Sequence, residues 1–587
     1  MRTPHRSPLL PAFGKAPLAI GLALILGSSA AGAAANAPLL GAGLWPALGS
    51  ESRFPDQRGA FLPQLRAHGA LVTSAPRRPA ATIVVGNCDD SGAGSLRDAV
   101  THAVSGDVID LTALDCSSIT LTTGSLTTSV DDLTLNGPGA DLLAIDAGNA
   151  SRIIEHSSYY GTLTIDGLAL QHGTYVYDGP NIYGGLAPGA CVLSNASVTL
   201  TQSTIEDCNA SGKSVSGGAL RSLGKLYMID STVSGVTATA TADDISATIY
   251  GGAIYAKAAY VYGSTVSDAT ISASSTTAFS GTLGGGIFGF YGVVLRDSTV
   301  TGVNVTVSAA KDAYAKGGGV GTPQTIIMSN STVSNNSVHG TPGAGASGAY
   351  VYTSAIGGAG IYVMAIPRGL PPQSSIDNST ISGNSAIVDG EPGQYTVGGG
   401  GGLASWSPLA VTITNSTFSG NSTSLDGGAF YTRHKGWVTL ANSTITDNTA
   451  RNGGGLADTD GEAPYGIVTH SSIIAGNHQT DTTNPVEIFT AHTISGANNL
   501  IASANTALPA DTLGGDPLLA PLADNGGPTL THALLPGSPA IDAGSNLAGL
   551  ATDQRGDGYG RVFGAAADIG AFESQGPLDL IFADGFD

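Results

Sequence analysis

The stretch VTITNSTFSGNSTSLDGGAF (Val411 to Phe430) is followed by VTLANSTITDNTARNGGGL and preceded by IIMSNSTVSNNS and SSIDNSTISGNS. This repetition constrains the fold more than any other feature of the chain. With Asn415 as reference, the equivalent positions hold Gln202, Asp230, Gly263, Asp297, Asn330, Asn378, Asn442 and His470. Most of these residue types tolerate a positive φ or bond to their own backbone. Two residues earlier stand Leu200, Met228, Val261, Leu295, Met328, Ile376, Ile413, Leu440 and Val468, apolar without exception. Three residues later stand Ile205, Val233, Val266, Val300, Val333, Ile381, Phe418, Ile445 and Ile473, again all apolar. A further run begins at paired glycines: GGAL at 217, GGAI at 251, GGGI at 284, GGGV at 317, GGAF at 427 and GGGL at 453.

Three short strands joined by bends make one turn of a coil. Such a unit cannot bury its own apolar side, so its core exists only where coils stack, about 4.8 Å per rung. The expected fold is therefore all-β, a parallel β-helix. Asn330, Asn378, Asn415 and Asn442 are expected to take the left-handed bend and bond amide to amide along the stack. N-glycosylation is the competing account of the same tripeptides. The presence of Asp, Gly, Gln and His at that position favours the backbone role.

Composition agrees. There are 84 glycines in 587 residues, with 11% charged and 6% aromatic residues, yet 42% are hydrophobic, which argues against disorder. A net charge of −21 makes nucleic acid a poor partner. Residues 1–36 have the basic start, apolar centre and small-residue end of a secretory signal peptide. No other apolar run reaches membrane length, so an exported chain with no transmembrane span, most simply a monomer, is expected. Cys88, Cys116, Cys191 and Cys208 then imply up to two disulfides, with connectivity open and buried thiols as the alternative.

Residues 37–80 are expected to form a poorly ordered linker, 81–160 an N-terminal cap with the first coils, 161–500 the repeats, and 501–574 a closing segment. Residues 575–587 make a tail. In the cap, GSLRDAVTHAV has helical spacing, with Leu96, Ala99, Val100 and Ala103 on one side and Ser95 as N-cap.

The repeats resemble the right-handed parallel β-helix family of exported bacterial proteins, of pectate-lyase-like architecture. NCDDSGAGSLRDAV is similar to the "CSLREA" segment of some surface proteins. DPLLAPLADNGGPTLTHALLPGSPAIDAG, followed by TDQRGDGYGRVFGAAADIGAFE, is closely similar to the C-terminal part of choice-of-anchor Q proteins. The tail LIFADGFD resembles a short ending on exported proteins of some Gram-negative bacteria, which implies a sorting role. The resemblance implies an extracellular or outer-surface location. It also implies that Asp553, Arg555, Asp557, Arg561, Asp568 and Glu573 pair as ions while closing the last coil, rather than doing chemistry.

The residue after the inward member of the glycine strand should face out. It is Tyr255, Phe288, Tyr362 and Tyr431, with Trp406 and Trp437 nearby, and such rings can stack on sugars. Stacking between neighbouring rungs is the plainer account. No catalytic residue is assigned. Arg433, His434 and Lys435 are expected in an exposed bend. Asp458, Asp460 and Glu462 are expected in a solvated turn; calcium is the one ion they bring to mind, but an EF-hand spacing is absent. No cofactor is assigned. A non-enzymatic surface protein that binds glycan or mediates adhesion is expected, with a polysaccharide lyase or glycoside hydrolase as the alternative. An autotransporter passenger is disfavoured for want of a following membrane barrel.

Overall fold

The computed structural model describes residues 79–177, 186–243, 246–343, 356–363, 373–389, 398–406, 410–433, 437–459, 466–481 and 486–576. The expected signal peptide and nearly all of the linker and tail lie outside the described residues, as do His434, Lys435, Asp460 and Glu462.

One coil shows how the repeat works. Val293–Arg296 runs to a bend at Asp297 (φ 50°), Thr299–Thr301 to a second bend at Gly302 (φ 67°), then come Asn304–Ala309 and Ala313–Lys316. Three glycines lead into Val320–Thr322, and Ile326–Ser329 begins the next rung. Each segment pairs in parallel with its counterpart one coil on, as Leu295 does with Met328 and Val300 with Val333. The protein is a parallel β-helix. One long sheet of 24 strands holds the glycine strand and the strand after it end to end along each rung, and sheets of thirteen, ten and six strands form the other walls.

Alternation decides what fills the interior. Leu200, Met228, Val261, Leu295, Met328, Ile376, Ile413 and Leu440 stack in register and are fully buried. Each such burial contributes about 1.5–3 kcal/mol. The coil at His470, followed by one more at Thr493–Ala497, departs from the expected register by one residue. Ser471, not His470, takes the positive φ (48°); Ile467 and Thr469 turn inward while Val468 turns out. Ile474 pairs with Ile445 inside, and Ile473 packs outside the coil, against the C-terminal segment.

The reference position does take the left-handed bend at Gln202, Asp230, Gly263, Asp297, Asn330, Asn378, Asn415 and Asn442, with φ between 46° and 57°. The next residue is the reason. Ser203, Ser231, Ser264, Ser298, Ser331, Ser379, Ser416 and Ser443 turn inward, and the backbone N–H of each donates to the hydroxyl of the serine one rung on, at 3.0–3.2 Å. Most of these hydroxyls in turn donate to the carbonyl two residues back, as Ser298 does to Arg296 at 2.7 Å. Bend residue and ladder serine thus form one unit, "NS".

The amide ladder lies elsewhere than expected. Asn330, Asn378, Asn415 and Asn442 do not bond to one another. The ladder runs through Asn336, Asn384, Asn421, Asn448 and Asn477, just past the second bend. Each Nδ2 donates to the Oδ1 of the next at 2.7–2.9 Å and to a backbone carbonyl such as Val300 or Ile381. Asn477 ends the row on the Glu487 carboxylate at 2.7 Å, and burial pushes that carboxyl up. A residue at a positive-φ bend projects away from the interior, whereas the one after a bend restarts the inward alternation.

At the front, Leu96–His102 forms the one helix (α1) among the described residues. Asp98 N donates to the Ser95 hydroxyl, and Leu96, Ala99 and Val100 are buried. Cys88 is joined to Cys116 and Cys191 to Cys208. No described helix is long and apolar enough to cross a membrane.

The C-terminal segment does more than close the last coil. Ala504 and Leu513 add a partial rung, but the chain then turns back along the flank of the thirteen-stranded sheet. Gln554 bonds to Thr417 and Thr380, His532 to Ser419, and Ala571 N to Thr444. Asn415 and Asn442 donate to the carbonyls of Thr552 and Ser545. Four of the six polar residues expected to pair do so: Arg555 with Asp553 at 2.8 Å and Arg561 with Glu573 at 2.9 Å, all buried. Asp557 is exposed, and the buried Asp568 carboxylate accepts from the backbone N–H groups of Asp542 and Ser574. The Arg555 guanidinium lies between the rings of Tyr559 and Phe572, 3.9 and 3.8 Å from their centroids.

Candidate ligand-binding face

The outer face of the long sheet presents two columns of side chains, one from each strand. In the glycine strand the register places Arg221, Tyr255, Phe288, Gly321, Tyr362, Ala404, Tyr431, Ala457 and Phe489 in line. The outward-facing aromatics expected from alternation therefore share one line. They do not share one environment. Tyr255 is half-buried and stacks on Phe288 with centroids 5.6 Å apart, and Tyr250 meets Phe288 edge-on. Tyr362 and Tyr431 are each only 3% exposed and pack with Ala404, Trp406 and Ala457 in a small closed cluster. These two rings offer no open surface for a sugar, which corrects the expectation for them. Phe288, at 4%, offers little more. Trp437 is 41% exposed.

Beside that cluster lies a lysine. The Lys316 ammonium sits 4.9 Å from the Trp406 centroid and 5.2 Å from that of Tyr362, and burial lowers its amine to about 8. The Tyr362 hydroxyl is buried without a partner. The gap between Lys316, Tyr362, Trp406 and Gly399 leaves no room for a water molecule. The Arg433 guanidinium also lies over Trp406, 5.4 Å from its centroid, and is not the freely solvated bend residue expected. Asp458 is likewise not in a solvated turn: it is buried, with its carboxylate 3.5 Å from the His492 ring.

The second strand supplies the residues that sequence reasoning missed. Tyr227 and Tyr260 stand in register and stack with centroids 5.0 Å apart and planes 13° apart. Tyr262 and Arg296 occupy the outward position two residues further along. At the corner between the two strands, Tyr159 (72%), Tyr160 (75%) and Tyr291 (43%) join Trp437 as exposed rings. A signal for the corner tyrosines was present in the repeated phrase: SSYYGTLTID and GFYGVVLRD both set a Tyr-Gly just before an alternating run. Tyr159, Tyr160 and Trp437 stand on other rungs, but the ring-on-ring pairs Tyr227–Tyr260, Tyr255–Phe288 and Phe290–Tyr291 all fall where Leu220–Ile229, Ile254–Tyr262 and the segment 287–296 cross the face.

Two tyrosine hydroxyls here, Tyr255 and Tyr262, are pushed up by burial, and burial pulls the Arg221 guanidinium down. Among the described residues no three or more His, Cys, Asp or Glu side chains are grouped so as to hold a metal ion. Comparison with known protein families, curated proteins and solved structures returned no match.

Proposed function

We propose that this is an exported, cell-surface β-helix protein of the choice-of-anchor Q kind that holds a glycan against the outer face of its long sheet without chemically altering it. The observation that carries the reading is the paired, register-matched stacking of Tyr227 on Tyr260 and Tyr255 on Phe288, with Tyr291 exposed beside them. Rungs about 4.8 Å apart repeat side chains at a spacing suited to an extended polymer, and each ring contributes about 0.5–1.5 kcal/mol beyond the area it covers. Two disulfides accord with an oxidising compartment.

Retention on a panel of immobilised polysaccharides tests it. Tyr227→Ala/Tyr260→Ala should lose about tenfold in affinity for whichever polysaccharide the parent protein retains, with unchanged circular dichroism. Equal retention by the variant would sink the reading.

One observation favours a polysaccharide-cleaving enzyme instead: the Lys316 amine, lowered to about 8 and set beside an unpartnered Tyr362 hydroxyl. Such an amine can accept a proton near neutral pH. Its enclosure weighs against it. Release of unsaturated or reducing sugar ends that disappears in Lys316→Met would favour the enzyme.

A further inference from the structure

Resting on the glycan-binding reading above, we infer that the ligand is an acidic polysaccharide bearing carboxylate or sulfate groups, bound across the three rungs built from residues 220–229, 254–262 and 287–296. The argument is one of charge. The chain carries 44 acidic residues against 23 Lys and Arg. These three rungs of the long sheet nevertheless contain no Asp or Glu and present Arg221, Lys225, Lys257 and Arg296. Five other described arginines are matched, Arg97 with Asp90, Arg152 with Glu155, Arg451 with Asp426, Arg555 with Asp553 and Arg561 with Glu573, whereas Lys311, Lys316 and Arg433 lie against aromatic rings away from this face's three rungs. Among the described residues none of the four is joined to a carboxylate.

Their placement follows from alternation. Lys225 and Tyr227 share the outward side of one strand, and Tyr260 and Tyr262 that of the next, with Arg296 in register with Tyr262. Arg221 is held by a hydrogen bond from its Nε to Ser216 at 3.2 Å, with the guanidinium 5.8 Å from the Tyr255 ring centre. Lys257 is exposed at the corner, its ammonium 5.6 Å from the Tyr291 ring centre. Cations therefore stand at both ends and at the corner of a strand pair about 25 Å long, with aromatic rings between them. Rings take the sugar faces, and the ammonium and guanidinium groups take the anions. The nearest carboxylates in sequence, Asp230 and Asp297, stand at the bends that end the strands. The four cations are too few, on so acidic a chain, to hold a nucleic-acid backbone.

The test uses the full chain on surfaces carrying alginate, dextran sulfate, neutral dextran or single-stranded DNA, at 50 and 300 mM NaCl. At least one acidic polysaccharide should be held tenfold or more tighter than dextran, and that preference should shrink at the higher salt. Which of alginate and dextran sulfate is preferred separates carboxylate from sulfate recognition. Lys225→Gln/Lys257→Gln/Arg296→Gln should fall to the dextran level, and Tyr227→Ala/Tyr260→Ala should weaken every polysaccharide. Dextran held as tightly as the acidic polymers overturns this inference and leaves glycan binding standing. Retention of no polysaccharide overturns both. Acidic binding indifferent to the tyrosine variant is mere charge adsorption and also overturns it, as does DNA held as tightly as the acidic polymers.

Discussion

The coils from Ser231 to Ser331 and those from Ser416 to Ser472 share one serine ladder but fill the space past the second bend differently. The first group advances by 33 or 34 residues per rung, the second by 27 or 29. Longer rungs carry an extra strand, such as Ala313–Lys316, and place Val236, Ala269 and Val303 past the bend. Shorter rungs place Asn421 and Asn448 there. The outer flank differs as well. Asp230 and Asp297 are exposed on one, whereas Asn415 and Asn442 are covered by the C-terminal segment on the other. Where a fourth wall encloses the coil, aliphatic filler suffices. Where the coil narrows, an amide reaches both a carbonyl and the next amide, and the hydrogen bonds hold what a thinner apolar core does not. Two of the three rungs of the candidate ligand face belong to the aliphatic group and the third, Leu220–Ile229, lies just before it, while the C-terminal cover belongs to the amide group.

The largest expected effect strikes the amide ladder. Asn421→Ala strands the backbone N–H of Asn384 and one of its two Nδ2 hydrogens, the other still donating to the Val333 carbonyl, and also removes the donor to Asn448. The cost should be about 3–5 kcal/mol, since each stranded buried group costs about 1–3 kcal/mol. Val303→Ala, at the matching place in the aliphatic group, strands nothing and should cost about half as much. Urea unfolding monitored by circular dichroism measures both. Equal costs would erase the distinction between the two groups of coils.

A comparable but local loss is expected at the flank. Arg561→Ala leaves the buried Glu573 carboxylate without its partner and frees the Asn415 carbonyl. Breaking a buried pair from one side costs about 3–5 kcal/mol. Limited proteolysis should then cut within 502–576 while the coils before Ser331 stay intact. Simultaneous loss of both regions would show that the cover stabilises the whole helix rather than one flank.

Much of this was legible in the residues, and the misses have causes. The apolar columns and the left-handed bends could be read because alternation and φ preference act locally, on Ile413 and Asn415 themselves. The amide ladder was assigned to the wrong asparagine of NSTFSGN. Both Asn415 and Asn421 suit a bend, and only the path between two bends decides that Asn421 points inward. In the coil at His470, HSSII offers two consecutive apolar residues, and alternation cannot choose between Ile473 and Ile474. Ser472 N bonding to Asn499 settles it, a contact between distant segments. Outward direction for Tyr362 and Tyr431 was likewise legible, but burial on the outer side depends on what packs over the face.

The smallest effect concerns pH and separates regions by sign. Burial raises the Asp377 carboxyl to about 6, against hydrogen bonds from Ser375 and Thr414 that lower it. Between roughly pH 4 and 6 the folded state keeps a proton that the unfolded chain has released, so acidification through this window stabilises the coils around Asp377. His156, in the front coils, behaves oppositely. Burial lowers its imidazole below 6.5, although the Val130 carbonyl beside it opposes the shift. The unfolded chain then binds a proton that the folded state resists, and stability falls as pH drops through about 6.5. Hydrogen exchange at pH 7 and pH 5, corrected for intrinsic rates, should show protection rising at Ser374–Asp377 and falling at Ile154–His156. Asp377→Asn and His156→Gln should each cancel the shift in its own segment. If both segments instead move together, the helix opens as one cooperative unit, and the differences between its coils are differences of chemistry but not of stability.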